Sequence, residues 1–145
     1  MKTEALPTIE NLLADYRPRI CALAYIIEDN NPVVCNMGFA VHEEKIILHT
    51  STWTYKWNNL KEGQKVSLAI GYDHLDHYAQ VFGRVSKIEI GQPQFLILEN
   101  LYFNNHPDAV HYRKGQEGIL LITPYKVRVG NVINRQVNFQ EYDYL

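Results

Sequence analysis

The sequence HTSTWTYKWNNL, residues 49–60, lies where an apolar run meets a polar one. The preceding residues 46–48 (IIL) predict a buried strand. Tryptophan and leucine then recur at helical spacing, which predicts a helix over 53–61. The junction between this strand and this helix carries hydroxyl side chains and a single cation, which are Thr50, Ser51, Thr52, Thr54 and Lys56.

This junction has the chemistry of a phosphate site. Hydroxyl groups and backbone N–H groups at a helix start donate hydrogen bonds to phosphate, and the helix dipole favours the negative charge. Lys56 adds a full positive charge about one turn into the predicted helix. The segment is not a Walker A loop, because the glycines of that motif are missing. From these residues alone a simpler interpretation is favoured, in which Ser51 or Thr52 caps the helix and Lys56 is solvated.

The rest of the chain alternates apolar runs with tight turns. The turns at 29–32 (DNNP) and 42–44 (HEE) are too short for parallel crossovers, so the strands that they join are predicted to be antiparallel hairpins. About six strands with a few helices predict a mainly β fold, an antiparallel barrel that is closed or half-closed. The predicted strands are 19–28, 33–41, 45–50, 66–72, 77–90 and 118–129. The other predicted elements are a short helix over about 8–16 with Thr8 as N-cap, a helix over 94–103 with a helical turn at 106–112, and a C-terminal tail over 131–145.

Composition and charge limit the class of protein. A chain of 145 residues fits one domain over 1–145, and a net charge of −2 without a basic block argues against nucleic-acid binding. Residues 1–13 are too polar for a secretory signal, and no apolar run approaches the ~20 residues of a membrane span. A cytoplasmic location without membrane contact is therefore expected. Cys21 and Cys35 lie in apolar strands, which indicates buried free thiols, with one disulfide as the alternative.

The opening segment resembles part of a known family. Its residues Thr50, Thr54, Lys56, Asn59 and Leu60 match the pattern T-x-x-x-[ST]-x-K-x-x-[NQ]-[LI] of FMN-binding split-barrel proteins, the relatives of pyridoxamine 5′-phosphate oxidase. Other segments resemble the family in the same order, and the resemblance covers roughly residues 12–130. These segments are CALAYII at 21–27, MGF at 37–39, KVSLAI at 65–70, YAQVFGRV at 78–85, and ITP at 122–124 followed by Val127 and Val129.

The resemblance implies an antiparallel split β-barrel that binds FMN between the two subunits of a homodimer. It implies that Thr50, Thr54 and Lys56 hold the phosphate, and that the backbone around Asn36–Phe39 borders the flavin ring. The full set of implied cofactor-binding residues is Thr50, Ser51, Thr54, Tyr55, Lys56, Asn36, Met37, Gly38, Phe39 and Tyr78, the last at a position where some members place a glutamine that contacts the flavin.

The function implied is that of a flavin-dependent oxidoreductase of unknown substrate, with NAD(P)H compatible as a hydride donor. The alternative is a flavin-binding or haem-binding carrier or sensor without turnover, and deazaflavin or haem are less favoured cofactors than FMN. A split-barrel scaffold that has lost its cofactor is a third hypothesis.

Two departures from the family pattern qualify this function. Tyr55 stands where the family often has an arginine, which predicts weaker FMN binding or a different flavin-like ligand. The tail 131–145 has no Arg-Leu-His type segment over a substrate ring, so oxidation of pyridoxamine phosphate itself is not expected.

The remaining candidate sites have simpler interpretations. The segment 73–77 (DHLDH) has metal-ligand chemistry, but it lies between two predicted strands, where solvated turn residues are more common, and no metal site is expected. His106 and His111 lie near Asp108 without metal-ligand spacing, which favours exposed residues at a helix end. Trp53 and Trp57 share a helix face, which favours core or dimer packing. No side chain is assigned as a catalytic acid or base.

Overall fold

The computed structural model describes residues 6–71 and 77–144. Within these ranges, eight strands form one antiparallel sheet, and no helix is long and apolar enough to cross a membrane. The strands are β1 (Ile20–Ile26), β2 (Pro32–Gly38), β3 (Ala40–His42), β4 (Lys45–Ser51), β5 (Lys65–Ile70), β6 (His77–Glu89), β7 (Glu117–Ile133) and β8 (Gln136–Asp143). The α-helices are α1 (Ile9–Leu13), α2 (Tyr55–Asn59) and α3 (Phe95–Asn105), and 3₁₀ turns cover Glu28–Asn30 and Pro107–Tyr112.

The strand order leaves the barrel open along one line. The path through the sheet is β2-β1-β5-β6-β7-β4-β3, and β8 pairs with β7 beside this path. Its two end strands, β2 and β3, are separated in the chain by Phe39 alone. The sheet therefore curls back to its own beginning, where the chain and not a hydrogen-bonded ladder joins the ends. The prediction of a mainly β, antiparallel split barrel is confirmed, and the barrel is not closed.

Strand β4 is covered on both faces. Ile46 and Leu48 point into the barrel and belong to the main core, whereas Ile47 points outwards and packs under α3. Burial on both faces explains why β4 is a continuous apolar run in the sequence. The layer between α3 and the sheet also contains Phe95, Leu98, Tyr102, Phe103, Ile119 and Leu121.

The structure contains two more strands than the sequence predicts. The predicted strand 33–41 is two strands, because the chain leaves one edge of the sheet at Gly38 and enters the other at Ala40. Part of the predicted tail 131–145 forms the hairpin of β7 and β8. Asn134 and Arg135 both have positive φ, at 51° and 65°, which is the conformation of a two-residue hairpin turn. Asn-Arg is a weak signal for such a turn because its second residue is usually glycine.

Helices α1 and α2 are shorter than predicted. Helix α1 ends at Leu13, although Thr8 caps it as predicted, with its Oγ1 accepting a hydrogen bond of 3.1 Å from the Asn11 N–H. Helix α2 covers Tyr55–Asn59 and not 53–61, and its N-cap is Thr54 in place of Ser51 or Thr52. Trp53 consequently precedes the helix and is 71% exposed. The core-packing interpretation therefore holds for Trp57 alone.

Trp57 packs α2 against the sheet. Its ring lies over Gly118 of β7, where an added Cβ would be 2.5 Å from the Trp57 Cζ3 atom. Lys87 of β6 approaches the same ring at 4.7 Å, and its Nζ donates hydrogen bonds to the carbonyls of Trp57 (2.6 Å) and Leu60 (3.2 Å). The position of α2 therefore depends on the space that Gly118 leaves free.

We expect Gly118→Val to lower the free energy of unfolding by about 1–3 kcal/mol, because the new side chain collides with the Trp57 ring. Denaturant unfolding measures this change. The double variant with Trp57→Leu should be less destabilised than the sum of the single variants, because the smaller side chain removes the collision. Additive effects would contradict the contact.

Candidate functional site

The unpaired strand edges form a cleft that we call the split. Strand β2 pairs with β1 on one side, and its other edge carries no strand. Strand β4 pairs with β3 only through Lys45–Ile47, so its last residues are free on that side. The two strands contact each other, and the split runs between their free edges.

One end of the split contains the predicted phosphate cradle. Thr50 is buried, and its Oγ1 lies 3.0 Å from the Oγ1 of Thr54. The Thr54 hydroxyl donates to the carbonyl of Ser51 at 2.8 Å and accepts from the Trp57 N–H at 3.4 Å. Because Thr54 has given its own proton to Ser51, Thr50 is the donor to Thr54. The hydroxyl protons of Thr50 and Thr54 are therefore both used in hydrogen bonds that fix the start of α2.

Other groups of the cradle remain open to an anion. Lys56 is half-buried, and within the described ranges no carboxylate forms an ion pair with it. The N–H groups of Tyr55 and Lys56 lie in the first turn of α2, where no intrahelical carbonyl accepts them. The dipole of so short a helix contributes little, so the positive charge at this end comes from Lys56.

Cys35 shows that Lys56 lies against β2. Burial raises the pKa of the Cys35 thiol, and the positive charge of Lys56 opposes part of this rise. Burial also raises the pKa of Tyr25, with smaller contributions from Cys35 and Tyr55. These side chains therefore surround the cradle end of the split. Both cysteines are free thiols, and burial raises the pKa of Cys21 to about 12.

The other end of the split opens into a groove of about 510 Å³ between β2 and the end of α3. We call this space the β2–α3 groove. Its walls are Ile20, Asn36, Met37 and Gly38 on the sheet side and Tyr102, Asn105, His106, Pro107, Asp108 and Ala109 on the helix side.

The structure separates the predicted site residues into groups. Residues 50–56 form the cradle, and Asn36, Met37 and Gly38 line the β2–α3 groove. The Phe39 side chain lines neither, because it is fully buried in the core and only its carbonyl approaches the groove. Tyr78 lies at the start of β6, whereas Thr50 aligns through Gly118 with Glu89 at the end of β6. Within one chain Tyr78 is therefore remote from the cradle.

A buried ionic cluster beside the split has no counterpart among the predicted site residues. Glu99 of α3 is fully buried, and its Oε2 lies 3.0 Å from Nε2 of His49. Its Oε1 lies 2.7 Å from Nη2 of Arg113. A carboxylate within the apolar run 94–103 is the sequence signal for this cluster, because a buried acid needs a charged or hydrogen-bonded partner. The partners themselves are distant in sequence and follow no local pattern.

His106 lies at a helix end as predicted, but the prediction that it is exposed is wrong. Helix α3 ends at Asn105, and the following 3₁₀ turn folds His106 back over β2. His106 Nε2 lies 2.8 Å from the carbonyl oxygen of Phe39 and donates to it, since a carbonyl only accepts. His106 is therefore half-buried and lines the groove.

The metal candidate at 73–77 lies outside the described residues except for its last histidine. Within 6–71 and 77–144, no three His, Cys, Asp or Glu side chains come together in the manner of a metal site.

We expect Cys35 to report on the cradle through its reaction with iodoacetamide. Replacing Lys56 by glutamine removes the charge that lowers the Cys35 pKa, so less thiolate forms at a given pH and alkylation slows. The rate against pH, followed by mass spectrometry of the Cys35 peptide, should shift to higher pH. Lys61→Gln, which changes an exposed lysine just after α2, is the matched control. Equal profiles for wild type and Lys56→Gln would contradict the proximity of Lys56 and Cys35.

Comparisons with known proteins agree with this architecture. The family profile described as pyridoxamine 5′-phosphate oxidase matches residues 6–130. No curated protein sequence matches the chain. Several solved structures share the fold over most of this chain.

A haem-binding protein from Mycobacterium smegmatis has a TM-score of 0.69 at 13% identity over 86% of this chain, which spans only 52% of that protein. A pyridoxamine 5′-phosphate oxidase-related, FMN-binding protein from Nostoc punctiforme has a TM-score of 0.65 at 11% identity, over 94% of each chain. An F420 reductase has a TM-score of 0.59 at 22% identity, over 85% of this chain and 98% of that one. At these identities the likeness establishes the fold alone.

Proposed function

The chain belongs to the pyridoxamine 5′-phosphate oxidase family, and from this premise we propose that it binds FMN along the split and acts as a flavin-dependent oxidoreductase. The observation that carries the proposal is Lys56, a half-buried cation without a carboxylate partner in the described residues, at one end of an unpaired strand edge. A groove suited to a flat ring lies at the other end of that edge.

The cradle offers a phosphate one positive charge and several neutral hydrogen-bond donors. Lys56 supplies the charge, while Ser51 and the N–H groups of the first turn of α2 supply neutral donors. The threonine hydroxyls support this arrangement by fixing the helix start. Tyr55 offers a hydroxyl in place of a second cation. We therefore expect weaker phosphate binding than two basic residues would give.

The separation of cradle and groove suits a flavin. Lys56 lies beside Cys35, and Gly38 lines the groove three residues further along β2. Three residues of strand span about 10 Å. A ribityl chain bridges such a distance between a phosphate and a planar ring. When bound, the flavin supplies the electron chemistry, and the residues of this chain hold, orient and shield it.

We further propose a homodimer. Tyr78, which the family resemblance places at the flavin, is remote from the cradle of its own chain, and we propose that a second copy supplies it. The ribbon of β7 and β8 exposes apolar side chains that a second copy would cover, namely Val132, Ile133, Val137 and Phe139. Two free cysteines agree with a reducing, cytoplasmic environment.

We expect purified protein to bind FMN and Lys56→Gln to bind it about tenfold or more weakly, because a charge-assisted contact to phosphate is lost. Titration followed by flavin fluorescence measures both affinities, and Lys61→Gln should bind like wild type. Reduction of the bound flavin by NADH or NADPH, followed by transfer to an acceptor, supports an enzyme.

Other outcomes of the same titration identify the alternatives. Tight FMN binding without reduction by either nucleotide supports a carrier or sensor. A Soret band after addition of haem would identify haem as the cofactor, and binding of F420 in place of FMN would identify F420. Either result changes the proposed cofactor and keeps the fold. Both ligands appear in the names of structural neighbours. Protein that ignores all of these ligands contradicts the proposed function.

A further inference from the structure

We infer that His106 is the side chain that stacks on the flavin ring, and that a column of aromatic rings running from the buried Glu99 holds it in place. This inference rests on the proposed function, because it concerns the ring end of the same site. It adds a ligand-contacting residue from α3 to a site otherwise built from β2, β4 and α2.

The column consists of His49, Tyr102 and His106. The rings of His49 and Tyr102 are stacked, with centroids 5.1 Å apart and planes inclined by 21°. The rings of Tyr102 and His106 have centroids 4.6 Å apart and planes inclined by 30°. Tyr102 thus stacks on the imidazole of His49 and packs at a tilt against the imidazole of His106. Offset stacking of this kind is favourable for aromatic rings at such distances.

The base of the column is fixed by charge and burial. Glu99 holds His49 at 3.0 Å, and Arg113 holds Glu99 at 2.7 Å. Burial also raises the pKa of Tyr102 to about 12, which keeps its hydroxyl neutral at physiological pH. Glu99 and Tyr102 are both buried, and Tyr102 also reaches the wall of the groove.

The end of the column is fixed by β2. His106 Nε2 donates to the Phe39 carbonyl at 2.8 Å, which fixes the plane of the imidazole. Gly38 makes this approach possible, since a Cβ there would lie 2.6 Å from the Tyr102 Oη and 2.9 Å from the His106 Cε1. The imidazole packs against Tyr102 and lines the groove. The next planar group in this stack is therefore the ligand.

The composition of the groove favours the ring part of the cofactor over its phosphate. Among the described residues 6–71 and 77–144, its walls contain no lysine and no arginine, and their one carboxylate is Asp108. A phosphate would meet no full positive charge here, whereas an uncharged conjugated ring would meet aromatic and apolar surface. The cation needed by the phosphate lies at the other end of the split, at Lys56.

A test compares FMN with riboflavin, which has the same ring but no phosphate. We expect His106→Ala to raise the dissociation constants of both ligands by about three- to tenfold, the range for loss of one aromatic contact. His106→Phe should keep both within about twofold of wild type, because it retains a ring on Tyr102. The bound flavin's absorption bands should shift in His106→Ala relative to wild type. His111→Ala, which changes an exposed histidine in the 3₁₀ turn that follows His106, is the control and should change nothing.

Comparing FMN with riboflavin also shows whether the proposed function or this inference alone has failed. Lys56→Gln should weaken FMN but leave riboflavin unchanged. If wild type binds FMN in this Lys56-dependent manner while His106→Ala binds both ligands as wild type does, this inference alone is overturned. Loss of FMN binding with unchanged riboflavin binding in His106→Ala would also overturn it, since His106 would then act at the phosphate end. If wild type binds neither ligand, the proposed function and this inference fall together.

Discussion

The unpaired edge of β2 is the constraint on which the rest of this structure depends. A ladder between β2 and β4 would close the barrel and remove both the split and the groove. The chain instead passes from β2 to β3 through the buried Phe39, whose N–H donates to the Arg19 carbonyl at 2.8 Å and whose carbonyl accepts from His106. The barrel is therefore held closed at Phe39 and left open along the split between β2 and β4. A free strand edge needs polar partners, and a ligand lying along it is one way to provide them.

The cradle shows how the same residues serve the fold and the site. Thr50 and Thr54 use their hydroxyl protons to fix the start of α2, so the helix begins where Lys56 faces Cys35. Trp57 on the opposite side of α2 packs over Gly118 and fixes the orientation of the helix. The charge of Lys56 is therefore held in place by contacts that do not involve any ligand. This preorganisation lowers the entropy lost when a ligand binds.

Helix α3 carries the polar groups that reach the split from outside the barrel. A fully buried carboxylate is costly unless it is paired, and Glu99 is paired with both His49 and Arg113. Because His49 belongs to β4 and Arg113 follows α3, the cluster fixes the helix relative to the strand that leads into the cradle. Tyr102 and His106 extend this arrangement to Gly38. The cradle end and the groove end of the split are thus linked through one packed layer.

The sequence by itself determined the antiparallel strands and the family, and it predicts the cradle at residues 50–56, because each is written in local spacing of apolar, turn and hydroxyl residues. It missed β8, whose Asn134-Arg135 turn lacks the usual glycine, and it wrongly predicted that His106 is exposed. Only the tertiary structure decided that Phe39 is core, that Tyr78 is remote from Thr50, and that His49, Tyr102 and His106 form one column. The physical reason is that these contacts join the outer face of β4 to a distant helix. Their geometry is set by the packing of α3 on the sheet, which no local periodicity encodes.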